Sequence, residues 1–405
     1  MQNGRIVIGV LLAAIAAPAV AAPRQPEANN RQFDVSLNAR IDYNTNLPRV
    51  SEAEAKARHL VLEDTTYVPS VNLDLRLPIG RQAFFASGSA GYDYHESNSQ
   101  LDSERVALTA GFDTRLGPCR NRLSGSYQSS LSDLQDINLA SAVTDQLEIK
   151  TAGLDVKCAR PTGLGVTFGA TETWTSHDLT QLAQQESRSE HYTAGLTYGR
   201  PALGNLTLFG SYGRTKFPRR PLISGIEPGY EVNAGGLTYD RHLGARIEGT
   251  VTISYSEVSQ LVIDPAFPVK DFSGATYSAD LQYRPAPRLS TSLSFQRQVE
   301  PSNRLGNNYD LRTLYRLSGS YELGRRIRLT LGVERSDSDS SGGSAVAAAN
   351  LLTKSRTNSA FGGIGYDLSR RVGVNLDARQ EERKTNNARY NYDDTNVALS
   401  VHLKY

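Results

Sequence analysis

Six histidines, one acidic run and two cysteines are the residues of this 405-residue chain whose types could support chemistry. A hydrolase needs a nucleophile and a base within hydrogen-bond reach of each other. The histidines show no recurring spacing to Ser or Asp, and His191 with a nearby Ser is the best candidate; the six are His59, His95, His177, His191, His242 and His402. We therefore predict no catalytic residues and no enzyme.

The acidic run Asp337-x-Asp339-x-Ser341-Gly342 is similar to the start of a calcium-binding loop. Such a loop needs a bidentate Glu at its twelfth position, and that position is Ala348. A solvated loop is therefore the favoured interpretation. We predict no metal site and no cofactor-binding residues.

Cys119 and Cys158 are the only cysteines, and their spacing fits no zinc site. Two thiols in an exported protein predict one disulfide, because the compartment is oxidising. Both fall at short turns that we place on the same rim of the fold, with two strands between them. The alternative is a pair of unpaired, buried thiols.

The N-terminal residues are typical of a secretory signal. Arg5 precedes an apolar run over residues 6–17, and Ala19-Val20-Ala21 offers small residues for cleavage. We predict a signal peptide over 1–21, a short periplasmic tail over 22–32 and one membrane domain over 33–405; an uncleaved anchor is the alternative. The tail leaves no room for a plug or a docking domain, which argues against energy-coupled receptors and polypeptide transporters.

Composition excludes several classes of protein. Only 39% of the residues are hydrophobic and the mean hydropathy is −0.42, too polar for a helical membrane protein. The formal charge of +2 gives no electrostatic case for nucleic acid. A transmembrane β-barrel fits this composition, because only every second strand residue meets lipid.

Apolar and polar residues alternate with period two along most of the chain. In the first run Phe33, Val35 and Leu37 alternate with Asp34, Ser36 and Asn38, the pattern of a strand between two different solvents. We predict an all-β, antiparallel, up-and-down barrel of about eighteen strands, over residues 33–43, 65–77, 84–95, 104–116, 122–130, 146–158, 164–175, 190–200, 205–216, 230–241, 246–257, 273–284, 289–299, 309–323, 327–337, 356–368, 372–382 and 397–405.

Short and long connections alternate between these strands, and aromatic residues fall at two heights. Short turns face the periplasm and long loops face outside in such barrels. We predict a periplasmic tier of Tyr198, Tyr239, Tyr283, Tyr321, Tyr366 and Tyr405, and an outer tier of Tyr43, Tyr92, Tyr94, Tyr127, Trp174, Tyr212, Tyr255 and Phe295. A soluble β-sandwich or β-solenoid also alternates, but two aromatic tiers favour the barrel.

The C-terminal Leu399-x-Val401-x-Leu403-x-Tyr405 resembles the assembly signal of bacterial outer-membrane proteins. Over its mature length the chain resembles the β-barrel porins found with exopolysaccharide and capsule synthesis systems, in its short N-terminal tail, its Gly-Tyr and Ser-Tyr strand ends and its many Arg-bearing turns. This resemblance implies a bacterial outer-membrane protein of about eighteen strands that passes polymer. It rests on diffuse pattern, so no individual functional residue is transferred.

The predicted lumen is mostly Ser, Thr and small residues, which suits a hydrated polymer but also any porin. Candidate pore-lining residues are Arg40, Arg76, Arg115, Lys157, Arg312, Arg316, Arg328 and Arg379. They either pair with acidic neighbours and stiffen the wall or form a track for an anionic sugar chain. Arginines at the short turns either gather an acidic polymer, dock a periplasmic partner or bind lipid phosphates.

Two connections are candidates for partial lids, because they contain short helical-looking segments. These segments are residues 52–57, within 46–64, and residues 345–349, within 338–355. The alternative is that neither loop folds inward.

Our first functional hypothesis is a passive outer-membrane channel for exopolysaccharide export. The alternatives are a diffusion porin for small solutes and a structural or adhesive barrel. The expected partners are outer-membrane lipid, the barrel assembly machinery, the polysaccharide and a periplasmic polysaccharide-export protein.

Overall fold

A computed structural model describes residues 31–132, 145–159, 162–243, 246–262, 271–302, 308–340 and 353–405, without the side chains of Gln181, Leu243 and Arg389. Eighteen antiparallel strands form one sheet. In chain order, β1 to β18 are Gln32–Asn44, Asp64–Ile79, Gln82–His95, Ser103–Leu116, Cys119–Leu131, Gln146–Cys158, Gly163–His177, Ser187–Arg200, Gly204–Lys216, Gly229–Leu243, Ile247–Gln260, Phe272–Ala286, Leu289–Pro301, Tyr309–Leu323, Ile327–Asp339, Lys354–Asp367, Val372–Thr385 and Tyr392–Lys404.

The sheet closes on itself because the first strand pairs with the last. Each strand pairs with its neighbours in the chain, and β1 also pairs with β18 from Ser36 opposite Lys404 to Asn44 opposite Asn396. This confirms the predicted up-and-down barrel and its strand number. The predicted signal peptide over 1–21 and residues 22–30 of the predicted tail lie outside the described residues.

Strand register separates an apolar outer face from a polar inner face. Directly paired residues point to the same side of the sheet. One outward row joins Leu196, Leu208, Leu237 and Ile253 on β8 to β11, and each of these side chains is about half exposed or more. Residues one step along each strand, such as Thr197 and Thr207, point inward. A slip of one residue would put a whole strand's polar side chains into hydrocarbon.

The aromatic tiers lie on the outer face at the two ends of the strands. Tyr198, Tyr239 and Tyr283 lie near the short turns, and Tyr212 and Tyr255 lie near the long connections. Their rings can rest in acyl chains while the hydroxyls reach the interface.

Within the described part of the chain, no helix is long and apolar enough to span a bilayer.

The short turns use glycine where the backbone needs a positive φ, as at Gly80 (62°) and Gly117 (60°). At the opposite end the connection after β1 contains the helix α1, Glu52–Ala57, with Ser51 as N-cap. This matches the predicted helical segment over 52–57. The segment over 345–349 lies outside the described residues.

The connection after β1 packs sideways against other connections at the same end of the barrel. Its Val50, Ala55 and Leu60 form a buried cluster with Leu101, after β3, and Leu182, after β7. These contacts tie neighbouring connections into one layer. They give this segment a structural role in that layer, beside its predicted role as a partial lid.

Candidate functional site: the lumen and its mouth

The inner face of β7 to β13 is lined mainly by hydroxyl-bearing and small side chains, and we call it the hydroxyl wall. Its hydroxyls pair across strands: Thr197 with Thr207 at 2.9 Å, Thr238 with Thr252 at 3.0 Å and Ser254 with Thr276 at 2.8 Å. Such pairs stabilise the sheet while keeping the face short and polar. An 18-stranded barrel is wide enough to hold water, so this wall borders an aqueous lumen.

The remaining inner face, on β14 to β18 and β1 to β6, carries most of the inner charges, and we call it the charged wall. Its ions are largely paired, and the separations between the charged atoms are short. They are Arg40–Asp42 at 2.5 Å, Arg122–Asp113 at 2.7 Å, Arg379–Glu381 at 2.9 Å, Arg76–Asp113 at 3.2 Å, Arg379–Glu334 at 3.6 Å and Arg316–Glu334 at 3.7 Å. These pairs cancel much of the wall's own field and brace adjacent strands.

All eight predicted pore-lining residues occupy inner-face register positions. They are Arg40, Arg76, Arg115, Lys157, Arg312, Arg316, Arg328 and Arg379. Five of them form ion pairs, whereas Arg115, Lys157 and Arg328 form none with any described residue. The structure therefore places the set on the lumen side, and its part in transport stays a prediction.

The two cysteines form the predicted disulfide at the periplasmic rim. Cys119 begins β5, Cys158 ends β6, and the two are directly paired in register with bonded sulfurs. They lie on the outer face of the sheet. The next pair along the same two strands is Arg120 opposite Lys157, on the inner face. The disulfide therefore clamps the strands immediately behind two inner cations.

The arginines at the short turns do not form one continuous ring. Arg120 and Arg122 lie on the inner face, whereas Arg200 and Arg241 lie on the outer face. Arg241 donates hydrogen bonds to the Ala202 carbonyl and the Tyr239 hydroxyl. The inner members can meet cargo, and the outer members are placed to meet lipid headgroups.

A feature that sequence reasoning missed is an inward fold of the β13–β14 hairpin at the outer mouth. β12 and β13 pair only from Tyr277 opposite Arg297 toward the periplasmic end, although both strands run further. Beyond that point β13 and β14 stay paired to each other up to Pro301 opposite Tyr309. The tip of the hairpin is therefore not paired with β12 and does not form part of the barrel wall.

The tip packs against the inner side of the wall. Its Val299 and Tyr309, which have outward register positions, form a buried cluster with Tyr230, Val232 and Val258 from the inner faces of β10 and β11. The Tyr230 and Tyr309 ring centroids are 5.8 Å apart. Because inner-face residues contact this tip, it lies on the lumen side and narrows the mouth.

Polar contacts hold the tip as well. The Asn308 amide donates to Gln260 of β11 at 2.5 Å, and Arg220, from the connection after β9, donates to Asn308 at 2.5 Å. Burial lowers the pKa of Arg220 to about 10, so this side chain stays cationic near neutral pH. Glu300, near the end of β13, lies 3.9 Å from Arg312 of β14.

Two of the residues first considered for chemistry, His191 and Asp337, lie on opposite faces of the sheet. His191, on the inner face of β8, contacts the Thr193 hydroxyl at 3.0 Å. Asp337 lies on the outer face of β15 and is bound by Arg335 and Arg356. Among the described residues no group of three His, Cys, Asp or Glu could hold a metal ion.

Comparison with known proteins supports a porin. Residues 228–405 match the family model described as "Putative beta-barrel porin 2". No curated protein matches the chain in sequence. The porin resemblance predicted from the sequence and the outer-membrane location are confirmed at this level, because the porin match accompanies a closed 18-stranded barrel.

Several solved structures are similar to this chain at low sequence identity. Pseudomonas aeruginosa OccK2 (OpdF) in complex with glucuronate is 13% identical, with a TM-score of 0.49 and coverage of 92% of this chain and 98% of that one. Acinetobacter baumannii OccAB3 is 9% identical, with a TM-score of 0.47 and coverage of 92% and 100%. P. aeruginosa OpdK is 11% identical, with a TM-score of 0.45 and coverage of 92% and 99%.

Proposed function

We propose that this outer-membrane porin is a passive channel through which an exopolysaccharide leaves the cell. The hydroxyl wall carries the proposal. A hydrated sugar chain presents hydroxyls on all sides and can exchange hydrogen bonds with a surface of Ser and Thr without binding tightly. The paired ions of the charged wall add stiffness rather than a strong field, so a charged stretch of polymer would not be held tightly along this wall.

The channel performs no catalysis in this proposal, and its motive force comes from synthesis and from a periplasmic export protein. Outer-membrane lipid contacts the apolar outer face, and the barrel assembly machinery would recognise the C-terminal strand β18, where Leu399, Val401 and Leu403 point outward.

A second candidate, a diffusion porin for small solutes, is favoured by the inward-folded β13–β14 tip. A mouth narrowed by a buried cluster suits small solutes as it stands, whereas a polymer channel needs this tip to move. The two functions therefore differ in whether the tip must be displaced during transport.

Two experiments test the proposal. Deletion of the gene should abolish or strongly reduce secreted polysaccharide while the intracellular polymer accumulates, and unchanged secretion would contradict export. In planar bilayers, neutral dextran fragments should interrupt the ionic current from the periplasmic side. Rapid passage of monosaccharides in liposome swelling, without any current block by dextran, would favour the second candidate instead.

A further inference from the structure

Three cations lie side by side on the inner face at the periplasmic end of β4, β5 and β6. Arg115 is directly opposite Arg120, and Arg120 is directly opposite Lys157. Neighbouring strands are about 4.8 Å apart, so the three positions span about 10 Å across the wall. We call these residues the cation row.

None of the three forms an ion pair with any residue in the described part of the chain. The next inner-face row away from the rim differs, because Asp113 and Arg122 pair at 2.7 Å and Arg122 is directly opposite Asp155. The excess of positive charge is therefore confined to the last inner-face positions before the turns.

Like charges placed directly opposite each other destabilise a sheet. Along β5 and β6, the disulfide between Cys119 and Cys158 lies one residue from the Arg120–Lys157 pair and on the opposite face. A covalent bond at this point keeps the two strands together despite the repulsion. The nearest inner-face carboxylates on these strands, Asp113 and Asp155, lie in the next row, where both are directly opposite Arg122.

We propose that the cation row binds the carboxylate or sulfate groups of an acidic saccharide chain as it enters the lumen from the periplasm. This deepens the proposed export function and rests on it. The inner-face register turns these side chains toward the lumen and away from lipid headgroups, in contrast to Arg200 and Arg241 on the outer face of the same rim. The row acts as a positive entrance ahead of a nearly neutral passage.

The test uses the full-length, oxidised protein in planar bilayers, with oligogalacturonate added to the periplasmic side at low salt. The wild type should show current block by this acidic oligosaccharide at a lower concentration than by a neutral dextran of similar size. Arg115→Gln/Arg120→Gln should weaken oligogalacturonate block about thirtyfold, which is about 2 kcal/mol, since each charge contact is worth about 1 kcal/mol in water. Dextran block should stay unchanged.

Arg200→Gln/Arg241→Gln is the matched control, since it removes two cations from the same rim on the outer face. This control variant should be blocked by the same concentration of oligogalacturonate as the wild type. Raising the salt concentration should weaken the block of the wild type by oligogalacturonate. Equal oligogalacturonate block in the wild type and Arg115→Gln/Arg120→Gln, with dextran block intact, would overturn the anion site while leaving the channel function standing. If neither sugar blocks the wild type, the export function itself fails.

The role of the disulfide is tested by Cys119→Ser/Cys158→Ser. If the bond keeps the row assembled, this variant should lose affinity for oligogalacturonate while retaining its conductance and its dextran block. Wild-type affinity in the serine variant would overturn the clamping role.

Discussion

The packing of the β13–β14 tip predicts that a single buried tyrosine holds the mouth of the barrel narrow. Tyr309 has no solvent exposure and packs against Tyr230 on the inner wall. Replacing a fully buried aromatic side chain with Ala costs about 3–5 kcal/mol. Each 1.4 kcal/mol changes an equilibrium constant by a factor of ten, so Tyr309→Ala should lower the equilibrium constant for docking of the tip by at least about a hundredfold.

The expected result is a channel with larger and more variable single-channel conductance. Tyr315→Ala is the matched control, since Tyr315 lies on the same strand but faces outward and is 44% exposed. This variant should conduct as the wild type does. Heat-modifiable migration in gels checks that both variants remain folded barrels.

A covalent lock tests the same idea in the opposite direction. The side chains of Asn308 and Gln260 are in hydrogen-bond contact, so Asn308→Cys/Gln260→Cys can be bridged by a short bis-methanethiosulfonate cross-linker, which holds the tip against β11 through reducible bonds. The locked channel should show fewer conductance fluctuations, and a reductant should restore them; wild-type protein in the same reductant controls for the native disulfide. Wild-type conductance in a folded Tyr309→Ala variant, with no effect of the lock, would refute the assignment of the tip as a constriction.

Two further predictions follow from the same structure. Cys119→Ser/Cys158→Ser should lower resistance to unfolding by about 2–4 kcal/mol, measured by heat-modifiable migration, and reductant should give the same loss in the wild type alone. Leu208→Arg on the lipid face should destabilise the inserted barrel by about 2–4 kcal/mol in folding titrations, whereas Thr207→Arg on the inner face should be far milder; equal costs would contradict the assignment of faces.

Strand alternation made most of the barrel predictable. The predicted strand over 122–130 is observed as Cys119–Leu131, and the predicted inner position of Arg40 follows from its alternation with Ala39 and Ile41. The reason is physical: a strand between lipid and water must place one kind of side chain on each face, and a slip of one residue exchanges every side chain. The local sequence therefore determines both the strand periodicity and whether each residue lies on the inner or the outer face of the barrel.

The inward-folded tip could not be predicted in the same way. Val299, Tyr309 and Leu311 have outward register positions and apolar side chains, as a lipid-facing strand requires. Alternation shows which residues avoid water, but it does not distinguish lipid from a protein surface. The departure of β13 from β12 depends on contacts with Tyr230 and Val258, which are distant in sequence.

The pairing of the inner ions was predictable only in outline. The sequence indicated that many arginines would pair with acidic neighbours, and Arg40, Arg76 and Arg379 do so. The isolation of Arg115 and Lys157 depends on the relative register of three strands. The position of Cys119 opposite Cys158 depends on that register too, because one residue of slip would separate the sulfurs.

The β13–β14 tip and the cation row lie at opposite ends of the lumen, and this separation bears on how such a channel could work. Paired ions along the charged wall leave little net field between the ends, so under the proposed anion site discrimination by charge is concentrated at the cation row. The β13–β14 tip is held mainly by apolar contacts, so passage beside it depends on displacing the tip rather than on charge. Under the proposed export function, such a channel can select its cargo by charge where the polymer enters and limit passage by size where the polymer leaves. Changes to the cation row should therefore alter affinity for an acidic saccharide without altering conductance. Changes to the β13–β14 tip should alter conductance without altering that affinity.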